Sequence, residues 1–176
     1  MKLKLFTSAL LLFILLSACG GDKNFEEKNI DGQFTIELPT YMVEIDLGIP
    51  QASVQYGNEM KEHYITVIKE SAPELEAYGV VDVATYADVY VSGIEMSIES
   101  AVVNQIGDGI EEHNGMQTVT FEVNGVLPEE NLEIYYYVKF YKSETTYYYV
   151  LDWTMANFKD DYLSDMKRIT NSIKEL

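Results

Sequence analysis

Four strand-like segments follow one another between Ala101 and Thr154, and this succession constrains the fold more than any other feature of the chain. They cover residues 101–105, 116–123, 132–141 and 145–154, each bounded by Gly, Asn, Pro or a charged turn. Ser143-Glu144 leaves only a tight connection between the last two. Consecutive strands joined by short turns pair antiparallel. The β pattern also appears earlier, where residues 34–38 alternate apolar and polar and stop at Pro39. A hairpin follows, with arms 52–56 and 63–69 around Gly57-Asn58-Glu59.

Two helices accompany the strands. Asp82 is placed to cap a helix in which Val83, Ala87, Tyr90, Val91, Ile94 and Ile98 recur at three- and four-residue steps. Gly93 inside it costs about 1 kcal/mol relative to Ala and reads as a point of close packing on the sheet. A second helix is expected over 158–175. Its apolar stripe holds Phe158, Tyr162, Met166, Ile169, Ile173 and Leu176, with Asp160, Asp161, Asp165, Lys167 and Lys174 opposite. Amphipathic helices must bury a face on the sheet, so the expected class is α+β: an α/β/α sandwich with an antiparallel sheet flanked by a mid-chain and a C-terminal helix.

The first 18 residues read as an address rather than as part of this domain. Lys2 and Lys4 precede an apolar run over 5–16, and Ser17-Ala18 bring small residues to a cleavage position. A 12-residue helix reaches roughly 18 Å, short of a ~30 Å hydrocarbon layer, so a permanent span is the poorer reading. The chain's one cysteine stands directly behind this segment. Leu16-Ser17-Ala18-Cys19 resembles the lipobox of bacterial lipoproteins at all four positions. The resemblance implies cleavage between Ala18 and Cys19, diacylglycerol transfer to the Cys19 thiol, and attachment to a lipid bilayer. Residues 19–29, polar and rich in Gly, Asp, Asn and Glu, then form a flexible tether, and 30–176 the globular domain.

Charge narrows the partners. With 29 acidic and 12 basic side chains the formal charge is −17, and loss of Lys2 and Lys4 carries it two units further. Such a surface repels nucleic acid and argues against polybasic attachment to anionic lipid. A mean hydropathy of −0.09 is ordinary for a folded globule.

Gly32-Gln33-Phe34-Thr35-Ile36-Glu37-Leu38-Pro39 resembles the opening strand of the PsbP-like (Mog1/PsbP) superfamily. The mid-chain helix, the hairpin ending in Tyr147-Tyr148-Tyr149-Val150-Leu151 and the closing segment with Ile169-Thr170-Asn171-Ser172-Ile173 extend the likeness over residues 30–176. Where that family usually shows Trp after the first Pro, this chain has Tyr41-Met42. The resemblance implies the same α/β/α sandwich. Family members serve as photosystem II assembly or extrinsic subunits, as a Ran-binding import factor, or as bacterial lipoproteins, and no shared catalytic residues come with them.

Candidate sites are few. Glu59, Glu62 and His63 lie close in sequence, but a hairpin turn spreads them over different faces, and a solvated turn is the simpler reading than a metal site. Asp108, Glu111, Glu112 and His113 sit in an expected loop between Ile106 and Met116, without the calcium-loop spacing of an EF-hand. No Gly-x-Ser-x-Gly elbow, dinucleotide fingerprint or P-loop is present, so no catalytic residue, cofactor or metal is assigned.

Aromatic residues are concentrated instead: seven of 14 tyrosines lie between Tyr135 and Tyr149. Strand alternation puts Tyr135, Tyr137 and Tyr141 on one face, and Tyr147, Tyr149 and Trp153 on one face of the return arm. Their plainer role is to fill a sheet covered on both sides; the sharper one is an aromatic surface for a glycan or partner protein. The leading functional expectation is a lipid-anchored, extracytoplasmic, non-enzymatic accessory or binding module of the cell envelope, with an envelope protein as its partner. Gly20, not Asp, follows Cys19, which favours the outer membrane in a host with two membranes. A ligand or glycan binder using the tyrosine-rich sheet is the alternative, and a hydrolase is a distant third.

Overall fold

The computed structural model describes residues 24–176; the cleavage position at Ala18 and the lipid-acceptor Cys19 lie outside the described residues. In chain order the strands are β1 (Phe25–Ile30), β2 (Phe34–Pro39), β3 (Val43–Glu44), β4 (Ala52–Asn58), β5 (His63–Ser71), β6 (Glu99–His113), β7 (Met116–Leu127), β8 (Leu132–Lys142), β9 (Thr146–Met155) and β10 (Lys174–Glu175). The helices are α1 (Ala72–Ala77), α2 (Val83–Ser97) and α3 (Lys159–Asn171). Seven strands form one sheet in the order β3-β4-β5-β9-β8-β7-β6, and β1-β2-β10 form a second; the pairings are antiparallel. The α+β sandwich is the observed architecture.

Strand alternation sorts the core into two layers. On one face, Val138, Phe140, Tyr147 and Tyr149 meet Val83, Tyr86, Ala87, Val91 and Ile94 of α2. On the other, Tyr141, Tyr148 and Val150 meet Phe34, Ile36 and Leu38 of the small sheet and Ile169 at the end of α3. Asp82 caps α2 as its sequence predicts, its Oδ1 accepting the Thr85 N–H at 2.7 Å. The Tyr86 and Tyr90 hydroxyls both donate to Glu70 Oε2, which fastens α2 to β5.

Several expectations are corrected. The tether does not extend to residue 29, because β1 pairs with β2 from Phe25 opposite Pro39 to Ile30 opposite Phe34. A charged sequence is compatible with an edge strand, whose ladder is satisfied on one side and whose charges stay in water. Residues 106–113 are not a loop: β6 continues to His113, with a bulge between Ile106 and Glu111, and turns at Asn114-Gly115, both at positive φ. That Asn-Gly pair carries the backbone handedness that a two-residue hairpin requires. The final helix stops at Asn171, and Lys174–Glu175 instead pair with β2. Gly93 is exposed with nothing within 4 Å of a Cβ placed there, so it mediates no close packing. Gly125 does so: a Cβ on it would fall 2.5 Å from Ile98 Cδ1 and 3.0 Å from the Glu99 carbonyl.

Phe140 is fully buried and stacks on Tyr149 with centroids 5.2 Å apart and planes 6° from parallel. Phe140→Ala is expected to cost about 3–5 kcal/mol, read as a lowered urea midpoint.

Candidate functional site

The tyrosines proposed as a surface are interior. Tyr135, Tyr137, Tyr141, Tyr147 and Tyr149 are 6% exposed or less. They also divide between the two sides of the sheet, since Tyr141 stands opposite Tyr148 whereas Phe140 stands opposite Tyr149. Tyr141 donates to the Thr170 carbonyl at 2.6 Å and Tyr148 to Glu175 Oε1 at 2.9 Å. Desolvation raises the Tyr137 phenol to about 12. A row of buried, proton-retaining phenols is core and not a glycan platform. Trp153 alone of the six remains partly open.

The metal alternatives come apart in the same way. Glu111 and Glu112 are consecutive on β6, paired with Thr118 and Gln117, so their side chains leave on opposite faces. His113 Nε2 donates to the Asn171 carbonyl at 2.7 Å, capping the open end of α3. His63 is turned away from Glu59, which is exposed, and into the interior.

There His63 meets partners distant in sequence. Its Nε2 lies 2.7 Å from Asp152 Oδ1, and both side chains are fully buried. Its Nδ1 lies 2.8 Å from the Tyr41 hydroxyl, which donates to Asp165 Oδ2 at 2.9 Å. Tyr162 stacks on the imidazole with centroids 4.7 Å apart. The network joins the segment after β2, strand β5, strand β9 and helix α3. Asp165, read from its charge as part of the outer face of the last helix, is only 4% exposed. The available signal was Asp152 itself, an acid at an inward position in the alternation Tyr148, Val150, Asp152, Thr154.

The order hydroxyl, imidazole, carboxylate matches that of a nucleophile, its base and an orienting group. The electrostatics run the other way. Burial, followed by the charge of Asp165, pushes the Tyr41 phenol far above its ordinary value, so its proton is held and the oxygen is not activated. Complete desolvation also raises Asp152, against the opposing pull of His63. Asp152 Oδ2 and the neighbouring Thr154 Oγ1 have no hydrogen-bond partner. The arrangement is a polar lock inside the sandwich. A second buried charge, Lys139, donates to Asn171 Oδ1 and is pushed down to about 8 by desolvation.

An open cleft lies on the α2 side of the sheet. Gly57, Tyr64, Trp153 and Tyr136 stand side by side across β4, β5, β9 and β8. Tyr64 and Trp153 stack with centroids 5.5 Å apart and planes 24° from parallel. A Cβ at Gly57 would come within 2.5 Å of Tyr64 Cδ1 and 2.8 Å of Ile45 Cδ1, so the ring lies where only glycine leaves room. Ile45, Asp46 and Leu47 form one wall and Glu59 the rim of this open cleft of about 510 Å³.

No family model and no curated protein sequence matches the chain significantly. Solved structures do share its fold. The solution structure of cyanobacterial PsbP (CyanoP) from Synechocystis sp. PCC 6803 superposes with a TM-score of 0.62 at 14% identity, covering 92% of this chain and 99% of that one. LpqN, involved in cell envelope biogenesis of Mycobacterium tuberculosis, gives 0.59 at 9% identity, covering 88% of this chain and 92% of that one. The fold is PsbP-like.

Two pH effects follow. A carboxyl raised on folding contributes stability that is complete below its unfolded value of ~3.9 and is lost as pH rises through its folded value. Asp152→Asn should therefore flatten a decline in stability that the wild type shows above about pH 4, measured as urea midpoints across pH. Lys139 has the opposite sign, because it loses its proton at about 8 in the fold and only near 10.4 unfolded. Wild-type stability should rise across that interval, and Lys139→Met should be the more stable protein at pH 7 and lose the rise.

Proposed function

We propose that this chain is a lipid-anchored, extracytoplasmic accessory module of a bacterial cell envelope that acts by binding rather than by catalysis. The observation that carries the reading is Leu16-Ser17-Ala18-Cys19, the chain's one cysteine, behind a lysine-flanked apolar run too short to span. The sharing of the fold with LpqN, a protein of cell envelope biogenesis, supports the compartment. Among the described residues no helix is long and apolar enough to cross a membrane, so a lipid on Cys19 would be the means of attachment. The absence of an activated nucleophile at Tyr41 favours binding over hydrolysis. Gly20 after the cysteine favours an outer membrane where the host has two.

The order of β1 gives this reading a geometric consequence. Six Cα steps separate Cys19 from Phe25, the start of β1. At ~3.6 Å per step the anchor and the small sheet are held within about 22 Å of each other. The small sheet is therefore the part of the domain held closest to the bilayer.

Expression of the full chain in a host with lipoprotein processing, followed by mass spectrometry of the N-terminal peptide, tests the reading. A diacylglyceryl-modified Cys19 in a detergent-released membrane fraction is the expected result, with Cys19→Ala left uncleaved. An unlipidated chain, cut elsewhere and recovered without detergent, would overturn it.

A further inference from the structure

The Tyr64–Trp153 cleft has a chemistry that the accessory reading does not use, and it is independent of the state of Cys19. Its lining combines two stacked rings, two aliphatic side chains and two carboxylates, with no lysine, arginine or histidine. The two basic residues near it along the chain are directed elsewhere: the Lys61 ammonium sits 5.3 Å from the centroid of the Tyr41 ring, and His63 is buried against Asp152. Asp46 and Glu59 are exposed carboxylates without an ion-pair partner within the cleft. Desolvation, then the charges of Glu59 and Glu62, raise the Tyr64 phenol above its ordinary value.

The site is also preformed. Gln55 Oε1 accepts from the Leu47 N–H at 2.9 Å, and Asp46 Oδ1 accepts from the Gly48 N–H at 2.8 Å, so the wall is fixed by the chain's own hydrogen bonds. Gly57 allows Tyr64 and Ile45 to approach the sheet. A volume of about 510 Å³ falls within the ~300–1,000 Å³ range of small-ligand sites.

We propose that this cleft binds a small organic cation, an ammonium or guanidinium group on a compact carbon frame. The face of an aromatic ring attracts a cation through its quadrupole, with Trp the strongest, and flanking carboxylates add charge at short range. A neutral sugar would use the rings but leave the field of Asp46 and Glu59 unanswered, and an anion would meet only repulsion.

The protein supplies its own reporter, because Trp153 is the one tryptophan of the chain. Full-length protein is titrated with tetramethylammonium and with arginine amide, and emission is excited on the red edge where tyrosine does not absorb. Saturation on the order of 1 mM is expected, with sodium chloride at matched ionic strength and N-acetylglucosamine giving no saturable change. The double variant Asp46→Asn, Glu59→Gln should weaken the cations roughly tenfold. Its unliganded emission and melting midpoint, unchanged from wild type, show that the fold is kept. Tyr64→Phe should retain binding, and Tyr64→Leu should lose it. Tighter binding of the neutral sugar overturns the proposal, as does a cation affinity that the double variant leaves undiminished. A response to a lysine- and arginine-containing peptide with none to either small cation overturns it as well, and assigns the cleft to a protein partner.

Discussion

Strand β9 is enclosed on both faces and paired on both edges, and the rest of the molecule is arranged around it. Its hydrogen-bond ladders run to β5 on one side and β8 on the other. Tyr147 and Tyr149 face α2, while Tyr148 and Val150 face α3 and the small sheet. A strand in this position has almost no choice of register, since a slip of one residue exchanges its two faces. Here the exchange would bring Asp152 into the α2 layer and remove it from His63. The density of tyrosine follows from the same constraint: large rings fill the wide space under a helix, and hydroxyls such as those of Tyr86, Tyr141 and Tyr148 reach a polar atom at the margin of their layer.

Within that apolar frame the Tyr41–His63–Asp152–Asp165 network is costly to bury and costly to break. Removing one member of such a buried hydrogen-bonded set leaves its partner's polar atom unsatisfied, which typically destabilises by about 1–3 kcal/mol. The four groups come from separate elements, so they satisfy each other only when α3 has docked and the segment carrying Tyr41 has closed over β5. The network thereby specifies one arrangement of α3 on the sheet, where greasy contacts alone tolerate sliding. Tyr41 brings both an aromatic ring and a hydroxyl that bridges His63 and Asp165.

The legibility of the chain followed the distance over which its determinants act. Residues 34–38, Asp82 with the α2 stripe, and the alternating faces of β8 and β9 depend on neighbours a few positions away, and periodicity discloses them. Strand β1 does not announce itself, because Phe25-Glu26-Glu27-Lys28 is held by its ladder to β2 and not by its own side chains. The same holds for β10, whose two residues continue the polarity of a helix but pair with Thr35 and Phe34. Asn114-Gly115 is the dipeptide of a two-residue turn, and the acidic residues before it belong to a strand and not to a loop. The partners of His63 were not readable at all, since 89 residues separate it from Asp152.

The same architecture that closes over β9 stops short of its end. Helix α2 has 15 residues, about 22 Å of rise, and packs mainly across β6, β7 and β8 while touching β9 lightly. The sheet beneath is seven strands wide, roughly 28 Å at ~4.7 Å per step. A single helix of this length, resting on β6, β7 and β8, does not also roof the β4–β5 flank. Trp153 occupies the register position that comes after Tyr149 and Leu151 on the same face, just past the helix, and Tyr64 continues the row onto β5. Burial therefore accounts for the tyrosines under α2 but not for this pair, which stays partly open beside Asp46 and Glu59. An aromatic pair left uncovered within an acidic surface marks the part of the sheet that the fold does not need for its own stability.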